Sequence, residues 1–168
     1  MMNVSEALIE IRNKINDRDE VGLANEEVLA YFNEAIQYIS QFLAAVNSPV
    51  LLQDMTITSA SGSELPENYI KMAGIFPVKV TGRTAKPIGT PPITIRMFVG
   101  FGRADMNEDV PLANEALVRV AIRLAAVYAN NQQELDISQD KALLSDLQNA
   151  ILLAVGGAAQ QPQQQQQG

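Results

Sequence analysis

The stretch from Ala24 to Asn47 constrains the fold more than any other part of the chain, because about half of its helical surface is apolar. Apolar side chains recur there at spacings of three and four, which places them on one face of an α-helix. These positions are Val28, Phe32, Ala35, Ile36, Ile39, Leu43 and Val46, widened by Leu29, Tyr31, Tyr38 and Phe42. Asn25 is predicted to cap the helix and Pro49 to follow its end. Since ordering a backbone costs about 1–2 kcal/mol per residue, this face needs partners from the same chain or from another one.

Outside this stretch, the helical period occurs only towards the two ends of the chain. A first helix is predicted over about Val4–Ile15, where Leu8, Ile11 and Ile15 form an apolar stripe. A third helix is predicted to start near Asp109 or Val110 and is apolar nearly all round, which indicates burial on most sides. Asp136 or Ser138 is predicted to cap a fourth helix, which ends before two glycines.

The period changes to that of β-strands in the middle of the chain. Strands are predicted from β-forming residues and alternation at Val50–Ser59, Ile75–Thr81 and Ile93–Phe101. The segment Gly82–Pro92 contains three prolines, Arg83 and Lys86, and is predicted to be a long loop. A plain surface loop and a loop that carries binding contacts are equally compatible with this composition.

This order of elements predicts an α+β protein that is mainly helical. The expected fold is a four-helix bundle with a β-rich insertion, made of strands plus a long loop, between helices 2 and 3. A single domain is expected over residues 1–158, with a helical core at 1–49 and 107–157 and the β insertion at 50–106. Residues 159–168 are rich in glutamine and are expected to form a disordered tail.

The composition argues against an enzyme, because the chain contains no cysteine, histidine or tryptophan. A Ser-His or Cys-His nucleophile cannot be built without thiols and imidazoles. Asp17, Asp19 and Glu20 lack the ligand order of an EF-hand loop, so a solvated loop is the better interpretation. We therefore predict no catalytic, cofactor-binding or metal-binding residues. No membrane span is expected, since no apolar run approaches about 18 residues.

Charge is segregated along the sequence, although the net charge is −7. Six basic residues and no acidic residue lie between Lys71 and Arg103, whereas all 19 acidic residues lie elsewhere. This pattern predicts two surfaces of opposite charge, and the basic one is either an interaction patch or an ordinary solvated sheet face. A nucleic-acid-binding module is an alternative, with Tyr69, Phe76 and Phe98 among aromatic residues that could stack on bases. The pI of about 4.5 and the lack of a nucleic-acid-binding motif disfavour it.

Two stretches of the chain resemble the head-to-tail adaptor, or connector, proteins of tailed phages. Ile11–Asp17 leading into Asn25–Ala35 is similar to the family's short helix ending in an N-D loop, followed by E-x-L-x-x-Y-x-N-E-A. Leu65–Tyr69 is similar to the family's LP-x-D-[FLY] entry into its β region. The helix at Ala113–Tyr128 and the loop at Asp136–Asp140 fit as well, whereas the Pro-rich loop and the glutamine tail differ from some relatives.

The resemblance implies a structural protein of the virion. Such adaptors form a ring, commonly dodecameric, beneath the portal, where they extend the DNA channel and dock the tail. The implied partners are other copies of the chain, the portal protein and a tail or nozzle protein, with non-specific contact between the ring lumen and packaged DNA. The implied location is the head–tail neck of the virion, reached from the host cytoplasm during assembly, with no cofactor and no membrane.

A ring requires two different faces that meet head to tail, and the acidic helices and the basic β region are candidates. Three aromatic residues on the second helix are predicted to face a neighbouring subunit. The long loop is predicted to project towards a partner, and two arginines of the third helix are predicted either to pair with a neighbour or to remain solvated. The candidate interface residues are Tyr31, Tyr38, Phe42, Arg83, Lys86, Arg96, Arg119 and Arg123.

Overall fold

A computed structural model describes residues 2–18, 22–131 and 141–156. Within these ranges the helices are α1 (Val4–Ile15), α2 (Asn25–Ala45), α3 (Glu115–Asn130) and α4 (Lys141–Ala154). The strands are β1 (Leu52–Ile57), β2 (Ser63–Glu64), β3 (Tyr69–Met72), β4 (Val78–Thr81), β5 (Thr84–Pro87) and β6 (Ile93–Val99). A short 3-10 helix at Pro49–Leu51 leads from α2 into β1. None of the helices in the described ranges is long and apolar enough to cross a membrane.

The four helices share the larger of two hydrophobic cores. The helix α2 packs on α1, α3 and α4, and α3 also packs on α1 and α4. The predicted apolar face of α2 is confirmed from Val28 to Leu43, since Val28, Phe32, Ala35, Ile39 and Leu43 are fully buried. Val46, predicted on the same face, follows the last residue of the helix and is 44% exposed. The prediction that α3 is buried on most sides is confirmed too, because its exposed positions reduce to a narrow stripe. Burial of α2 and α3 against each other therefore supplies the centre of the helical layer.

The starts of two helices differ from the sequence prediction. α2 is capped at Ala24, whose amide donates to Oε2 of Glu27 at 2.9 Å, so Asn25 is its first residue. α3 begins at Glu115, where Asn114 caps it, and not near Asp109 or Val110. The cause is that the amide of Val110 donates to the backbone oxygen of Met2, which holds this segment in an extended bridge with the N-terminus. The predicted caps of α4 lie outside the described residues.

The strands form two antiparallel three-stranded sheets, with orders β1-β6-β3 and β2-β5-β4. β6 is the central strand of the first sheet, and its alternation directs residues to both sides. Phe98 belongs to the helical core, whereas Ile95, Met97 and Val99 belong to a second core that also contains Ala85 of β5. The molecule therefore has three layers, in which the first sheet lies between the helices and the second sheet.

The predicted fold class, a mainly helical four-helix bundle with an insertion of strands and a long loop, is wrong. The middle of the chain instead forms two complete antiparallel sheets with a hydrophobic core of their own. The predicted long loop at Gly82–Pro92 is largely the turn and strand β5, because Gly82 and Arg83 close a two-residue hairpin. The tail predicted at residues 159–168 lies outside the described residues, and the domain boundaries stay a prediction.

Candidate functional site

The junction between α1 and α2 is organised around Arg12, a charged side chain that is only 3% exposed. Its Nη1 donates to Oδ2 of Asp17 at 2.6 Å, and its Nη2 donates to the backbone oxygen of Leu23 at 2.9 Å and to Oδ1 of Asn25 at 2.7 Å. Asp17 also accepts a hydrogen bond from the amide of Gly22 at 2.8 Å. The guanidinium of Arg12 thereby ties the end of α1 to the start of α2.

This arrangement corrects the expectation that Asp17 stands in a solvated loop, since the Asp17 side chain is only 14% exposed. Asp19 and Glu20 lie outside the described residues. In the ranges 2–18, 22–131 and 141–156, no group of three or more acidic side chains is placed to hold a metal ion. Through its bond to Arg12, the carboxylate of Asp17 contributes to the packing of α1 on α2.

Asn33 and Ser40, two turns apart on α2, hold the segment that follows β6. The amide of Ala104 donates to Oδ1 of Asn33 at 2.8 Å, and Nδ2 of Asn33 donates to the backbone oxygen of Ala104 at 3.2 Å. The amide of Phe101 donates to Oγ of Ser40 at 3.0 Å. A Cβ at Gly100 would lie 3.1 Å from Cβ of Ser40, so the backbone approaches the helix closely there. These contacts dock the exit of the sheet onto α2.

An open groove runs along the polar side of α2, beside this docked segment. Its larger part has a volume of about 710 Å³ and includes Gln37, Gln41 and Tyr69 in its lining. Its smaller part, of about 430 Å³, lies near the start of α2. We call this smaller part the acidic groove, because its charged lining residues are Glu26, Asp105, Glu108 and Arg103.

The hairpin of β4 and β5 carries an exposed basic face. Lys79 and Lys86 are paired directly opposite each other, so their side chains leave the same face of the sheet. Both are exposed. The turn is tight, since Gly82 has φ of 59°, a conformation that glycine adopts without steric cost. Arg83 at the turn contacts Oε1 of Glu64 at 3.6 Å, so the two lysines are the freer charges of this hairpin.

Two further candidate interface arginines, Arg96 and Arg119, also have partners within the chain. Arg96 donates from Nε and Nη2 to the two carboxylate oxygens of Asp54, at 2.7 and 2.9 Å. Arg119 donates to Oε1 of Glu115 at 2.8 Å, one turn away on α3. The hydrogen bond from each arginine lowers the pKa of its partner carboxyl group. Arg123 is exposed on the same helix and forms no ion pair with any residue that the structure describes.

The aromatic edge of α2, formed by Tyr31, Tyr38 and Phe42, is half-buried against the helical core. The hydroxyl of Tyr38 accepts a hydrogen bond from Nε2 of Gln148 on α4 at 3.2 Å. Nearby on α3, burial raises the pKa of Tyr128 to about 12, with smaller contributions from Tyr38 and from a carboxylate of α2. Part of this edge therefore packs inside the chain, and its contact with a neighbouring subunit stays a prediction.

The sequence did not identify the polar residues that hold the helices and the sheet exit together, although Arg12 and Asn33 lie in the stretches that resemble the adaptor family. Arg12, Asn33 and Ser40 were not predicted to be structural. One signal was present for Arg12, because it lies on the same helical face as the apolar stripe of Leu8 and Ile15. A charged residue inside an apolar stripe requires a buried partner, which Asp17 supplies.

No protein-family model and no curated protein matches the chain.

Proposed function

We propose that the protein is a structural component of a tailed-phage virion, a head-to-tail adaptor that forms a ring beneath the portal. The proposal is supported by the hydrogen bonds that polar residues of the family-like stretches, Ile11–Asp17 and Asn25–Ala35, form in the structure. Asp17 and Asn25 hold the guanidinium of Arg12, and Asn33 holds the backbone of Ala104. Four polar residues of these stretches, Arg12, Asp17, Asn25 and Asn33, thus hydrogen-bond where α1 meets α2 and where the sheet exit meets α2. A motif made of such residues supports a shared architecture more strongly than apolar residues would.

The proposed role is passive and depends on geometry and surface contact. A ring needs a heterologous interface, in which one face of a subunit meets a different face of the next. The chain offers unlike faces, since the basic hairpin belongs to the second sheet and the acidic groove lies beside α2 in the helical layer. The proposal requires no catalytic group.

The proposed partners are further copies of the chain in a ring, commonly of twelve, together with the portal and a tail or nozzle protein. The ring would sit in the head–tail neck, where its lumen would extend the DNA channel. The exposed parts of Tyr31, Tyr38 and Phe42 are candidates for the subunit contact, because an aromatic side chain at a rim can add contact area at small entropic cost.

Imaging by negative-stain electron microscopy tests the proposal, using the purified chain alone and mixed with portal rings. We expect annular particles that stack on the portal. Tyr38→Ala should weaken ring formation more than it lowers the stability of the monomer, because part of the side chain is exposed. Tyr38→Phe is the matched control, since it removes only the hydroxyl that accepts from Gln148. A chain that stays strictly monomeric and does not bind the portal rings would refute the proposal.

The nucleic-acid-binding alternative receives less support from the structure. Phe98 is buried in the helical core and is not available for stacking on bases. The ammonium group of Lys71 lies 5.0 Å from the centre of that ring and donates to Oδ1 of Asn47 at 2.9 Å. Arg96 is engaged by Asp54. A monomer that binds DNA fragments with a strong salt dependence would favour this alternative.

A further inference from the structure

The paired lysines of the β4–β5 hairpin are an unusual arrangement in this chain. Like charges directly opposite each other on antiparallel strands destabilise the pair. Neither Lys79 nor Lys86 forms a hydrogen bond or ion pair with another residue in the described part of the chain. Glu64, opposite Thr84 on the same face, contacts Arg83 at 3.6 Å, so in that part of the chain neither lysine has a direct ion-pair partner.

Protection of a sheet edge accounts for Lys79 more directly than for Lys86. Lysine on an edge strand discourages pairing with other chains, and β4 is an edge strand, so Lys79 fits that role. β5, however, is the central strand of its sheet, with β2 and β4 on its two sides. β2 pairs only with Thr84 and Ala85, so Lys86 lies where the paired part of that side ends, and edge protection explains its charge less directly than that of Lys79.

The hairpin face that carries Lys79 and Lys86 also presents an exposed apolar side chain. Ile88 follows β5, and its amide donates to the backbone oxygen of Pro77 at 2.8 Å, which continues the hairpin register. Alternation then places Ile88 on the face of Lys86, and its side chain is 72% exposed. An acidic partner would be electrostatically complementary to the two lysines, and Ile88 would add apolar contact area beside them.

We infer that the outward face of the β4–β5 hairpin of one copy docks on the acidic groove of a second copy. This inference deepens the proposed function, since it names the two faces that meet in the ring. Charge complementarity selects this occupant: the acidic groove carries the carboxylates of Glu26, Asp105 and Glu108 against the single guanidinium of Arg103. A nucleic acid is the poorer fit, because a chain of net charge −7 repels a polyanion at long range.

The placement of the two faces suits a ring. The hairpin belongs to the outermost layer, whereas the groove lies beside α2 in the helical layer, so one copy can offer both faces at once. Such a contact is heterologous and closes into a ring when the rotation between copies allows it. The interface would be sensitive to salt, because exposed charges are screened over about 10 Å at 0.1 M ionic strength.

Disulfide crosslinking tests the inference directly, because the natural chain contains no cysteine. Thr81→Cys places a thiol on the lysine face of the hairpin, and Ala30→Cys places one in the lining of the acidic groove. The two single variants are mixed and oxidised mildly, and crosslinked heterodimers are measured over time. Ser145→Cys, at an exposed position of α4, replaces Ala30→Cys in the control mixture.

We expect the hairpin thiol to crosslink to the groove thiol roughly tenfold faster than to the control thiol, because docking raises the effective concentration. Adding Lys79→Glu and Lys86→Glu to the hairpin variant should abolish this preference. Adding Glu26→Lys and Glu108→Lys to the groove variant should restore it. Equal rates with the groove and control thiols would overturn the inference, as would a preference that survives both lysine substitutions.

The outcomes for the inference and for the proposed function can be separated. If the Lys79→Glu, Lys86→Glu variant still forms rings on the portal and the Thr81→Cys thiol shows no preference for the Ala30→Cys thiol over the control thiol, the inference fails and the adaptor proposal stands. If the crosslink forms as expected and no ring appears on the portal, the self-contact is real and the adaptor proposal fails. Loss of DNA binding in the same variant, without any preferred crosslink, would assign the lysines to a nucleic acid instead.

Discussion

Replacing Arg12 by Met is the sharpest perturbation of the architecture. Methionine retains an unbranched apolar stem and removes the guanidinium, together with its hydrogen bonds to Asp17, Leu23 and Asn25. Hydrogen bonds to a charged group contribute about 1.5–3 kcal/mol each, and breaking a buried ion pair by removing one partner costs about 3–5 kcal/mol. The Asp17 side chain is 14% exposed and keeps its hydrogen bond from Gly22, so some water and a donor remain. We therefore expect a loss near the lower bound, about 3 kcal/mol.

Urea unfolding followed by far-ultraviolet circular dichroism measures this loss as a change in the free energy of unfolding. Asp17→Asn and the double variant complete a double-mutant cycle, in which we expect a coupling of at least about 1.5 kcal/mol between the two residues. Arg123→Met is the matched control, since Arg123 is an exposed arginine in a helix and should change stability by less than about 0.5 kcal/mol. An Arg12→Met loss below about 1 kcal/mol, or additive effects in the cycle, would refute the structural role of the ion pair.

Two further predictions concern α2 and α3. Because burial raises the pKa of Tyr128 to about 12 from 10.0, the folded protein keeps a proton that the unfolded chain releases above pH 10. The resulting stability is present below pH 10 and is lost as the pH rises towards 12. At pH 11 the free energy of unfolding should be lower by about 1 kcal/mol. In urea unfolding, Tyr128→Phe should remove this contribution to the pH dependence. Asn33→Ala should cost about 1–3 kcal/mol by leaving the backbone of Ala104 unpaired, and hydrogen exchange at the Ala104 amide should accelerate. Gln37→Ala, at an exposed position of the same helix, should leave that exchange rate unchanged, and an unchanged rate in Asn33→Ala would contradict the docking contact.

The helical part shows where sequence reasoning succeeds and where it stops. The apolar face of α2 was predictable, because a spacing of three and four residues can be buried only on one side of a helix. The start of α3 was not, since the segment around Val110 is held extended by Met2, which is distant in sequence. Pro111 is compatible with a first helical turn, and nothing local in the sequence indicates the competing bridge.

The β-rich part also contains one strand that the sequence predicts and one that it does not. β6 was predictable from its alternation of apolar and other residues. β5 was not, because Thr84–Pro87 includes a lysine and a proline and has little β propensity of its own. It becomes a strand through pairing with β2 and β4 and through burial of Ala85 in the second core. The expectation of a long loop, and with it the predicted fold class, failed for this reason.

By itself, the sequence determined the apolar faces of α2 and α3, the alternation of β6, and the separation of basic from acidic residues along the chain. These properties are local, since they follow from the period of each element and from the order of charges. Only the tertiary structure decided that Arg12 is buried on Asp17, that Asn33 holds Ala104, and that the strands divide into two sheets. These properties depend on residues distant in sequence that meet through packing, where a buried polar group must find its partner. The pairing of Lys79 with Lys86 belongs to the same class, because only the register of the hairpin brings the two charges together.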